Sequence, residues 1–380
     1  MATSTQDILE RLIAFDTVSA RTNLPLVDYA EALLNGYGFE TMRFPDPDEP
    51  KAGLLARFGP PGGGLLLSAH SDVVPTDGQR WTRDPFRLSR EGDRFFGRGT
   101  TDMKGFLAAM LSAAGRAARR PARAPLALLI SYDEEVGCRG LTQMMERLRP
   151  HLGHPRLAVV GEPTEMRVAL GHKGKRAWRA VMTGQAGHSA AAPRFVSALH
   201  MAGDLMTGLR SLQDEIAKTG PREAGYAVPH ATVHVGTLSG GRALNLVPER
   251  AEMTFEIRHL PSDDPATLCA RIEAQARALE KTYGPAGTVA LKPLFSYPAF
   301  QAGRDAEAMA RTLIRTDPFN VDYGTEAGLL AAERIPVIVC GPGSMDDQGH
   351  KPDESIHAGQ LSACDTMLDR LIARLVHDGY

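Results

Sequence analysis

Unbroken apolar runs alternate with segments of helical periodicity over the first part of the chain. Ile8, Leu9 and Leu12 recur at the spacing of one helix face, whereas 65–67 begin an unbroken apolar run. Runs of the second kind are typical of strands buried in parallel sheets. The pattern predicts strands at 54–58, 65–70, 126–132 and 157–161, and helices at 4–15, 25–37 and 103–118. Strands alternating with helices indicate an α/β fold with a mixed, largely parallel sheet sandwiched by helices.

The pattern changes near Gly174, where apolar and polar residues begin to alternate. Strands are predicted at 175–183, 231–238, 251–260 and 289–295, with helices at 196–218 and 265–283. This β-α-β-β-α-β order is that of a ferredoxin-like α+β module.

After residue 298 the α/β pattern returns, with helix 305–316, strand 337–340 and helix 357–376. We therefore expect an inserted domain at 174–297. It interrupts a main domain made of 1–173 and 298–380.

The composition is that of an ordinary globular protein. The chain has 380 residues, enough for two domains, and 43% of them are hydrophobic. A net charge of -2 gives no electrostatic reason to bind nucleic acid or an anionic membrane. The chain shows no apolar run long enough to cross a bilayer, and residues 1–10 lack a signal-peptide pattern. We therefore expect a cytoplasmic location.

The cysteines indicate which metal ligands are possible. None of the four is in C-x-x-C spacing: Cys138, Cys269, Cys340 and Cys364. A disulfide framework or a thiolate zinc site is therefore not expected. Any metal has to be held by nitrogen and oxygen ligands.

His70 and Asp72 stand at the carboxyl end of a predicted strand. Ligands gather at this end of α/β sheets. Residues i and i+2 of a strand share a face, so Asp72 can accept from one ring nitrogen of His70 and leave the other for a metal. The alternative is a His–Asp pair on a surface turn.

Asp102 precedes the predicted helix 103–118 and follows a glycine-containing turn. It is placed either to cap that helix or to bridge two cations. Lys104, in the first helical turn, gains nothing from the helix dipole. We expect it to neutralise a crowded acidic site.

Asp133, Glu134 and Glu135 are consecutive acids directly after a strand. Their mutual repulsion costs stability unless a cation or a proton offsets it. Adjacent glutamates allow one to ligate a metal while the other acts as a general base. A solvated acidic turn is the alternative.

Glu162 follows strand 157–161, and His350 lies in a loop after a Gly-Pro-Gly turn. Each is ambiguous alone. Taken with His70, Asp102 and Glu135, however, they form the set of imidazoles and carboxylates that a pair of divalent metal ions requires.

Three residues of the inserted domain are candidates for contacts with a substrate. His188 lies in a turn rich in Gly and Ala and is placed to stabilise an oxyanion. Asn245 and Arg258 are candidates for binding a carboxylate. A salt bridge from Arg258 to Glu256 or Glu252 is equally compatible with the sequence.

Five strings of residues together resemble those of the dinuclear zinc amidohydrolase and peptidase family. This family includes acetylornithine deacetylase, succinyl-diaminopimelate desuccinylase, aminoacylase and glutamate carboxypeptidase. The matching strings are 68–75, 97–105, 133–137, 161–164 and 187–189. The resemblance extends over essentially the whole chain, including the insertion.

The resemblance implies a role for each candidate residue. His70 and Glu162 would hold one Zn2+, Glu135 and His350 the other, and Asp102 would bridge them. Glu134 would be the general base, and Asp72 would orient His70. Two Zn2+ per subunit are implied, with Co2+ as a possible substitute.

The inserted domain resembles the family's lid, which also joins two subunits. A homodimer is therefore implied, with His188 reaching toward the active site of the other subunit.

The segments 323–328 and 340–344 resemble the acetylornithine deacetylase branch. This implies removal of acetate from N2-acetyl-L-ornithine, a reaction of arginine biosynthesis. Glu326 would attract the side-chain ammonium of the substrate, and Arg258 with Asn245 would hold its α-carboxylate. The acidic segment 346–349 departs from the branch and leaves the substrate open.

Other reactions of the same family are alternatives. They are hydrolysis of another N-acyl amino acid, desuccinylation of succinyl-diaminopimelate, and dipeptide cleavage. A non-catalytic binding protein with this fold would lack a ligand or the base, and none of these is missing.

Overall fold

A computed structural model describes residues 3–314 and 317–378. The strands are Glu40–Pro45 (β1), Ala52–Phe58 (β2), Leu65–His70 (β3), Ser89–Glu91 (β4), Arg94–Phe96 (β5), Leu126–Ser131 (β6), Leu157–Val160 (β7), Ala169–His172 (β8), Gly174–Thr183 (β9), Gly187–His188 (β10), Thr232–Gly240 (β11), Leu246–Val247 (β12), Arg250–His259 (β13), Thr288–Tyr297 (β14), Phe300–Gln301 (β15), Phe319–Val321 (β16), Val337–Val339 (β17) and Ser355–His357 (β18).

The α-helices are Thr5–Ile13 (α1), Leu24–Gly36 (α2), Lys104–Ala117 (α3), Arg139–Leu152 (α4), Ala198–Thr219 (α5), Pro265–Tyr283 (α6), Arg304–Leu313 (α7), Ala327–Ala332 (α8), Met345–Gln348 (α9) and Ala358–Ile372 (α10). Short 3-10 helices cover Ser189–Arg194 and Gly284–Ala286, and a π-helical turn covers Ala373–His377.

The chain divides into two units. The main unit contains Met1–Gly171, Phe300–Asn320 and Thr325–Tyr380. The inserted unit contains His172–Ala299, and the short segment Val321–Gly324 groups with it.

The central sheet has the strand order β1-β2-β6-β3-β7-β17-β8-β15, with β16 beside β8. Strands β6, β3, β7 and β17 run parallel at its centre, whereas β2 and β8 are antiparallel to their inner neighbours. This confirms the predicted mixed, largely parallel sheet. Because parallel strands end at one edge, the residues that follow β3, β6 and β7 are brought to the same place.

Helix α3 forms the centre of the main core. Nearly all of its residues are buried, and it packs against α1, α10 and β3. A helix that is apolar on all sides is expected in such a position. Its small residues, including Ala108, Ala109 and Ala113, allow its neighbours to approach closely.

The inserted unit is a four-stranded antiparallel sheet in the order β11-β13-β9-β14, with α5 and α6 in the connections. This is the predicted ferredoxin-like order of elements. In β13 every second residue is buried, as the two-residue period of a strand requires. Trp178 of β9 stacks on Phe255 of β13, with ring centroids 5.4 Å apart.

Several elements were not predicted from the sequence, among them β1, α4 and the β10–β12 pair. The predicted helix 305–316 ends at Leu313, and residues 315 and 316 lie outside the described residues. Across 3–314 and 317–378, every helix is too short or too polar to cross a membrane.

Candidate metal centre

The site lies where the central parallel strands end. His70 is the last residue of β3, and Glu162 follows β7 after a single glycine. Both side chains are buried. Asp102 lies just before α3 and is also buried.

The structure brings the five residues expected to bind metal into two groups. His70, Asp102 and Glu162 form the first group, and Asp102, Glu135 and His350 form the second. Within each group the potential ligand atoms lie within 4.8 Å of one another. Asp102 belongs to both groups.

The two oxygens of Asp102 face different imidazoles. Oδ1 lies 3.2 Å from Nε2 of His70, and Oδ2 lies 3.1 Å from Nε2 of His350. Glu135 Oε2 is 3.0 Å from the same nitrogen of His350, and Glu162 Oε1 is 3.8 Å from Nε2 of His70. A carboxylate between two imidazoles is the arrangement that bridges a pair of cations. Asp102 does not cap α3, because Met103 occupies the N-cap position.

The donor set fits divalent cations. Oε1 of Glu135 and Oε1 of Glu162 are buried and have no hydrogen-bond partner among the described residues. Buried carboxylate oxygens without partners are costly, and a cation removes that cost. Nitrogen and oxygen ligands in groups of three suit a metal such as zinc, with a coordination position left for water.

The pKa shifts of these side chains also indicate that the site suits cations. Burial and the charge of Asp102 raise the pKa of Glu135 to about 7, and burial also raises the pKa of Glu162 well above its usual value. Hydrogen bonds to Asp102 and Glu135 raise the pKa of His350 to about 11. The carboxylates therefore lack sufficient positive charge around them, which bound dications would supply.

Asp72 fixes the turn that carries the two glutamates. Its carboxylate accepts hydrogen bonds from the backbone N–H groups of Glu134 (3.1 Å) and Glu135 (3.3 Å), and from the Ser19 hydroxyl (2.7 Å). Nδ1 of His70 lies closer to the Asp72 carbonyl oxygen (3.0 Å) than to its carboxylate (3.5 Å). Donation from Nδ1 to that carbonyl leaves Nε2 of His70 free as a ligand.

Asp133, the first of the three consecutive acids, is neutralised by Lys51. The Lys51 ammonium lies 2.8 and 2.9 Å from the two oxygens of Asp133 and also donates to the Ser19 carbonyl. Sequence reasoning missed Lys51, because it precedes Asp133 by 82 positions and has no motif around it.

Glu134 lies beside Cys138, whose thiol is 3.4 Å from Oε1 of Glu134. Burial raises the pKa of Glu134 well above its usual value, and the nearby carboxylates add to this effect. Cys138 was not singled out from the sequence as a site residue. The segment from Glu134 to Cys138 forms a turn, closed by the Cys138 N–H donating to the Glu134 carbonyl at 2.8 Å, and this spacing is the signal in the sequence.

Glu326 lies in the same acidic region of the main unit. Its Oε2 accepts from the Ser131 hydroxyl at 2.8 Å, while its buried Oε1 has no hydrogen-bond partner in the described part of the chain. Burial raises its pKa to about 7. Ser131 ends β6, so Glu326 also lies at the carboxyl edge of the sheet.

Lys104, expected from the sequence to neutralise a crowded acidic site, forms no direct ion pair with an acid among the described residues, although the charges of Glu354 and Asp72 act on its pKa. Its ammonium donates to the carbonyl oxygen of Phe15 at 2.8 Å. Burial lowers its pKa to about 7. The Lys104 side chain is fully buried, and its methylene groups lie against Gly99.

The remaining candidates lie in the inserted unit. His188 and Asn245 are exposed at the short β10–β12 ribbon, where the Asn245 carbonyl accepts from Ser189 N–H at 3.0 Å. Arg258 forms the ion pair with Glu256 that its sequence also allowed, at 2.9 Å, and donates to the Tyr297 hydroxyl at 3.4 Å.

Comparison with known proteins gives a match to one family over most of the chain. The model of peptidase family M20/M25/M40 matches residues 66–374. An acetylornithine deacetylase of Pasteurella multocida is 31% identical over 96% of both chains. An acetylornithine deacetylase of Myxococcus xanthus is 33% identical, again over 96% of both.

Solved structures share the fold at lower identity. A metallo-carboxypeptidase of the M20 family from Sulfolobus solfataricus gives a TM-score of 0.79 at 18% identity, over 97% of this chain and 98% of that one. A dinuclear metal-binding peptidase of the M20 family from Bacillus subtilis gives 0.70 at 15% identity, over 98% and 97%.

Proposed function

Because this chain belongs to peptidase family M20/M25/M40, we propose that it removes the acetyl group from N2-acetyl-L-ornithine, using two bound zinc ions. The family makes it a hydrolytic enzyme of the metal-dependent, amide-cleaving kind. One observation carries the proposal: the two oxygens of Asp102 face two imidazoles, each accompanied by a further glutamate. The acetylornithine deacetylases that match the chain nearly end to end support the choice of substrate.

In this proposal His70 and Glu162 would hold one ion, Glu135 and His350 would hold the other, and Asp102 would be shared between them. When bound, such ions polarise an amide carbonyl and make a water molecule more acidic. Zn2+ suits the nitrogen and oxygen ligands, and Co2+ is expected to replace it.

Glu134 is proposed as the general base. Its carboxylate takes a proton from the attacking water and returns it to the nitrogen of the departing ornithine. The contact between the Asp72 carboxylate and the Glu134 N–H supports this role, because it fixes the backbone that carries the base.

The remaining proposed roles concern the substrate. The unpartnered, buried Oε1 of Glu326 suits the side-chain ammonium of ornithine. Arg258 and Asn245 are proposed to bind the α-carboxylate. Arg258 would do so while it also forms its ion pair with Glu256. His188 is proposed to stabilise the oxyanion of the tetrahedral intermediate.

We propose that the protein is a cytoplasmic homodimer joined through the inserted unit, which acts as a lid over the site. The exposed position of His188 and Asn245 on the ribbon is compatible with contacts beyond their own unit. Size-exclusion chromatography with light scattering measures the mass of the particle and tests the proposed dimer. A single-chain mass at micromolar concentration would refute the dimer.

The function is tested by amine release from four substrates: N2-acetyl-L-ornithine, N-acetyl-L-methionine, N-succinyl-L,L-diaminopimelate and a dipeptide. We expect kcat/KM for acetylornithine to be higher than for the others by at least about tenfold. A higher value for one of the other three would replace the proposed substrate with that one. Cleavage that is unaffected by complete removal of metal would refute the metal-dependent mechanism.

A further inference from the structure

Glu354 is a buried carboxylate outside both groups of metal-binding residues, and it holds the loop that leads to Asp102. It accepts backbone N–H bonds from Gly99 (2.9 Å), Thr101 (2.8 Å) and Asp102 (3.0 Å). The guanidinium of Arg98 completes its partners at 2.8 Å. Because the Glu354 carboxylate accepts hydrogen bonds from four donors, it restricts the backbone conformation of the loop at Asp102.

This loop requires glycine at position 99. The residue has φ +87, a conformation that residues with side chains rarely adopt. A Cβ there would lie 2.8 Å from a methyl carbon of Val73. This backbone conformation at Gly99 allows the N–H groups of Gly99, Thr101 and Asp102 to donate to Glu354.

Arg98 connects Glu354 to the loop that carries His350. Its side chain is buried, and its Nη1 donates to the Lys351 carbonyl at 3.2 Å. Its Nη2 donates to the Gln79 side chain, and Gln79 Nε2 donates to the His350 carbonyl at 2.8 Å. The Arg98–Glu354 ion pair therefore reaches the backbone of both Asp102 and His350.

The two groups of metal-binding residues depend on this pair to different degrees. The first group takes His70 and Glu162 from the ends of buried strands, so only Asp102 depends on the loops. In the second group His350 lies on a loop, has φ +60, and leaves 51% of its side chain exposed. Such a backbone conformation persists only where the surroundings enforce it.

We infer that the Arg98–Glu354 ion pair is a positioning device that sets the metal affinity of the second group, formed by Asp102, Glu135 and His350. The inference rests on the proposed pair of metal ions. Partners that hold ligands in place typically change metal affinity by about 10- to 100-fold when removed. The second group loses the placement of two of its ligands, and the first group loses that of one.

The test measures metal binding by the metal-free protein, not activity. Co2+ is titrated in competition with a chromophoric chelator, and visible absorption follows the two binding steps. We assign the weaker step to the second group, because its His350 is half exposed and lies on a loop. For Arg98→Met and Glu354→Gln we expect this step to lose about 10- to 100-fold in affinity, with a much smaller change in the tighter step. Arg98→Lys keeps the charge and is expected to recover part of the loss.

The matched control is Arg116→Met. Arg116 also pairs with acids across elements, but it lies at the opposite end of α3 from Asp102. It is expected to leave both binding steps as in the wild type. Unfolding temperature measured in chelator reports separately on stability.

The outcomes are distinguishable. If Arg98→Met lowers the unfolding temperature in chelator but changes neither affinity, the pair is purely structural and the inference is wrong. An equal loss at both steps also overturns it. If Glu354→Gln does not fold, the two Arg98 variants decide. A wild-type protein that binds fewer than two ions refutes the proposed dinuclear site itself.

Discussion

At the scale of single residues, the sequence singled out the side chains that the fold brings into two groups, but not the residues that support them. His70, Asp102, Glu135, Glu162 and His350 each follow a strand end or a glycine-containing turn, which marks them in the sequence. Their supports are ordinary charged residues whose partners are distant in the chain, as Lys51 is from Asp133. Such pairs form only when the fold brings the segments together, so no local sequence pattern predicts them.

The base assignment is tested by Glu134→Gln, which keeps the size of the side chain and removes its ability to accept a proton. We expect kcat to fall by about 100- to 10,000-fold, because proton transfer to and from the reacting groups is lost. Metal content, measured by elemental analysis, is expected to stay at the wild-type level. A variant that retains most of its turnover would show that another group is the base.

The preference for a cationic side chain is tested by Glu326→Gln. Removing one charge-assisted hydrogen bond is expected to lower the ratio of kcat/KM for N2-acetyl-L-ornithine over N-acetyl-L-methionine by about tenfold or more. The control is Glu333→Gln, in the same segment, whose carboxylate pairs with Arg149 on the surface. An unchanged ratio in Glu326→Gln would remove Glu326 from substrate recognition.

At the scale of elements, the sequence predictions are accurate where an apolar pattern lies between clear turn or capping residues. Strand β3 has the predicted bounds because its unbroken apolar run follows a glycine-rich loop, and helix α6 has them because its helical pattern lies between Asp264 and Gly284. Strand β1 is mostly exposed at the sheet edge and shows no apolar alternation. The two-residue strands β10 and β12 exist only through their pairing with each other. Pairing across the chain leaves no periodic signal.

Helix α4 was missed although its sequence contains the pattern. Its buried residues Leu141, Met144, Met145 and Leu148 have helical spacing. Pro150, a residue that usually interrupts a helix, lies within its last turn and weakens the helical pattern.

Gly161, which follows β7, packs so closely against α3 that a larger residue at this position is expected to clash. A Cβ at this position would lie 2.0 Å from the ring of Phe106, which is fully buried in α3. Gly161→Ala is therefore expected to lower the free energy of unfolding by about 1–3 kcal/mol and to displace Glu162. Urea unfolding in the presence of chelator measures the first effect without the contribution of metal.

Gly303→Ala serves as the control, because a Cβ there meets nothing within 4 Å. Its unfolding free energy should stay close to that of the wild type. Equal stability of the two variants would mean that Phe106 can move aside at no cost.

At the scale of the whole molecule, the site assembles segments from both ends of the chain. His70 and His350 come from opposite sides of the insertion, and each faces an oxygen of Asp102. The α/β pattern predicted that strand ends meet at one edge, but it could not predict which loop side chains reach across that edge. The family resemblance, now confirmed, supplied that information.

Metal removal should change stability as well as activity. Without ions, the buried carboxylates of Glu135 and Glu162 keep unpartnered oxygens, which destabilises the folded state. Each ion present at about 100 times its Kd adds about 2.7 kcal/mol to the free energy of unfolding. Thermal unfolding with and without chelator, followed by readdition of Zn2+, measures this contribution. Identical curves would contradict a metal bound at this centre.

The strands that flank the insertion have a consequence for how the protein can evolve. Strands β8 and β15 are neighbours in the central sheet, and Ala302 N–H donates to the Leu170 carbonyl at 2.7 Å. The long insertion His172–Ala299 thus leaves the main unit and rejoins it at adjacent strands, and only the short segment Val321–Gly324 groups with the inserted unit elsewhere. Such a junction tolerates exchange of everything between its two ends. Insertions or deletions within the inserted unit are therefore expected to leave the residues around Asp102 in place.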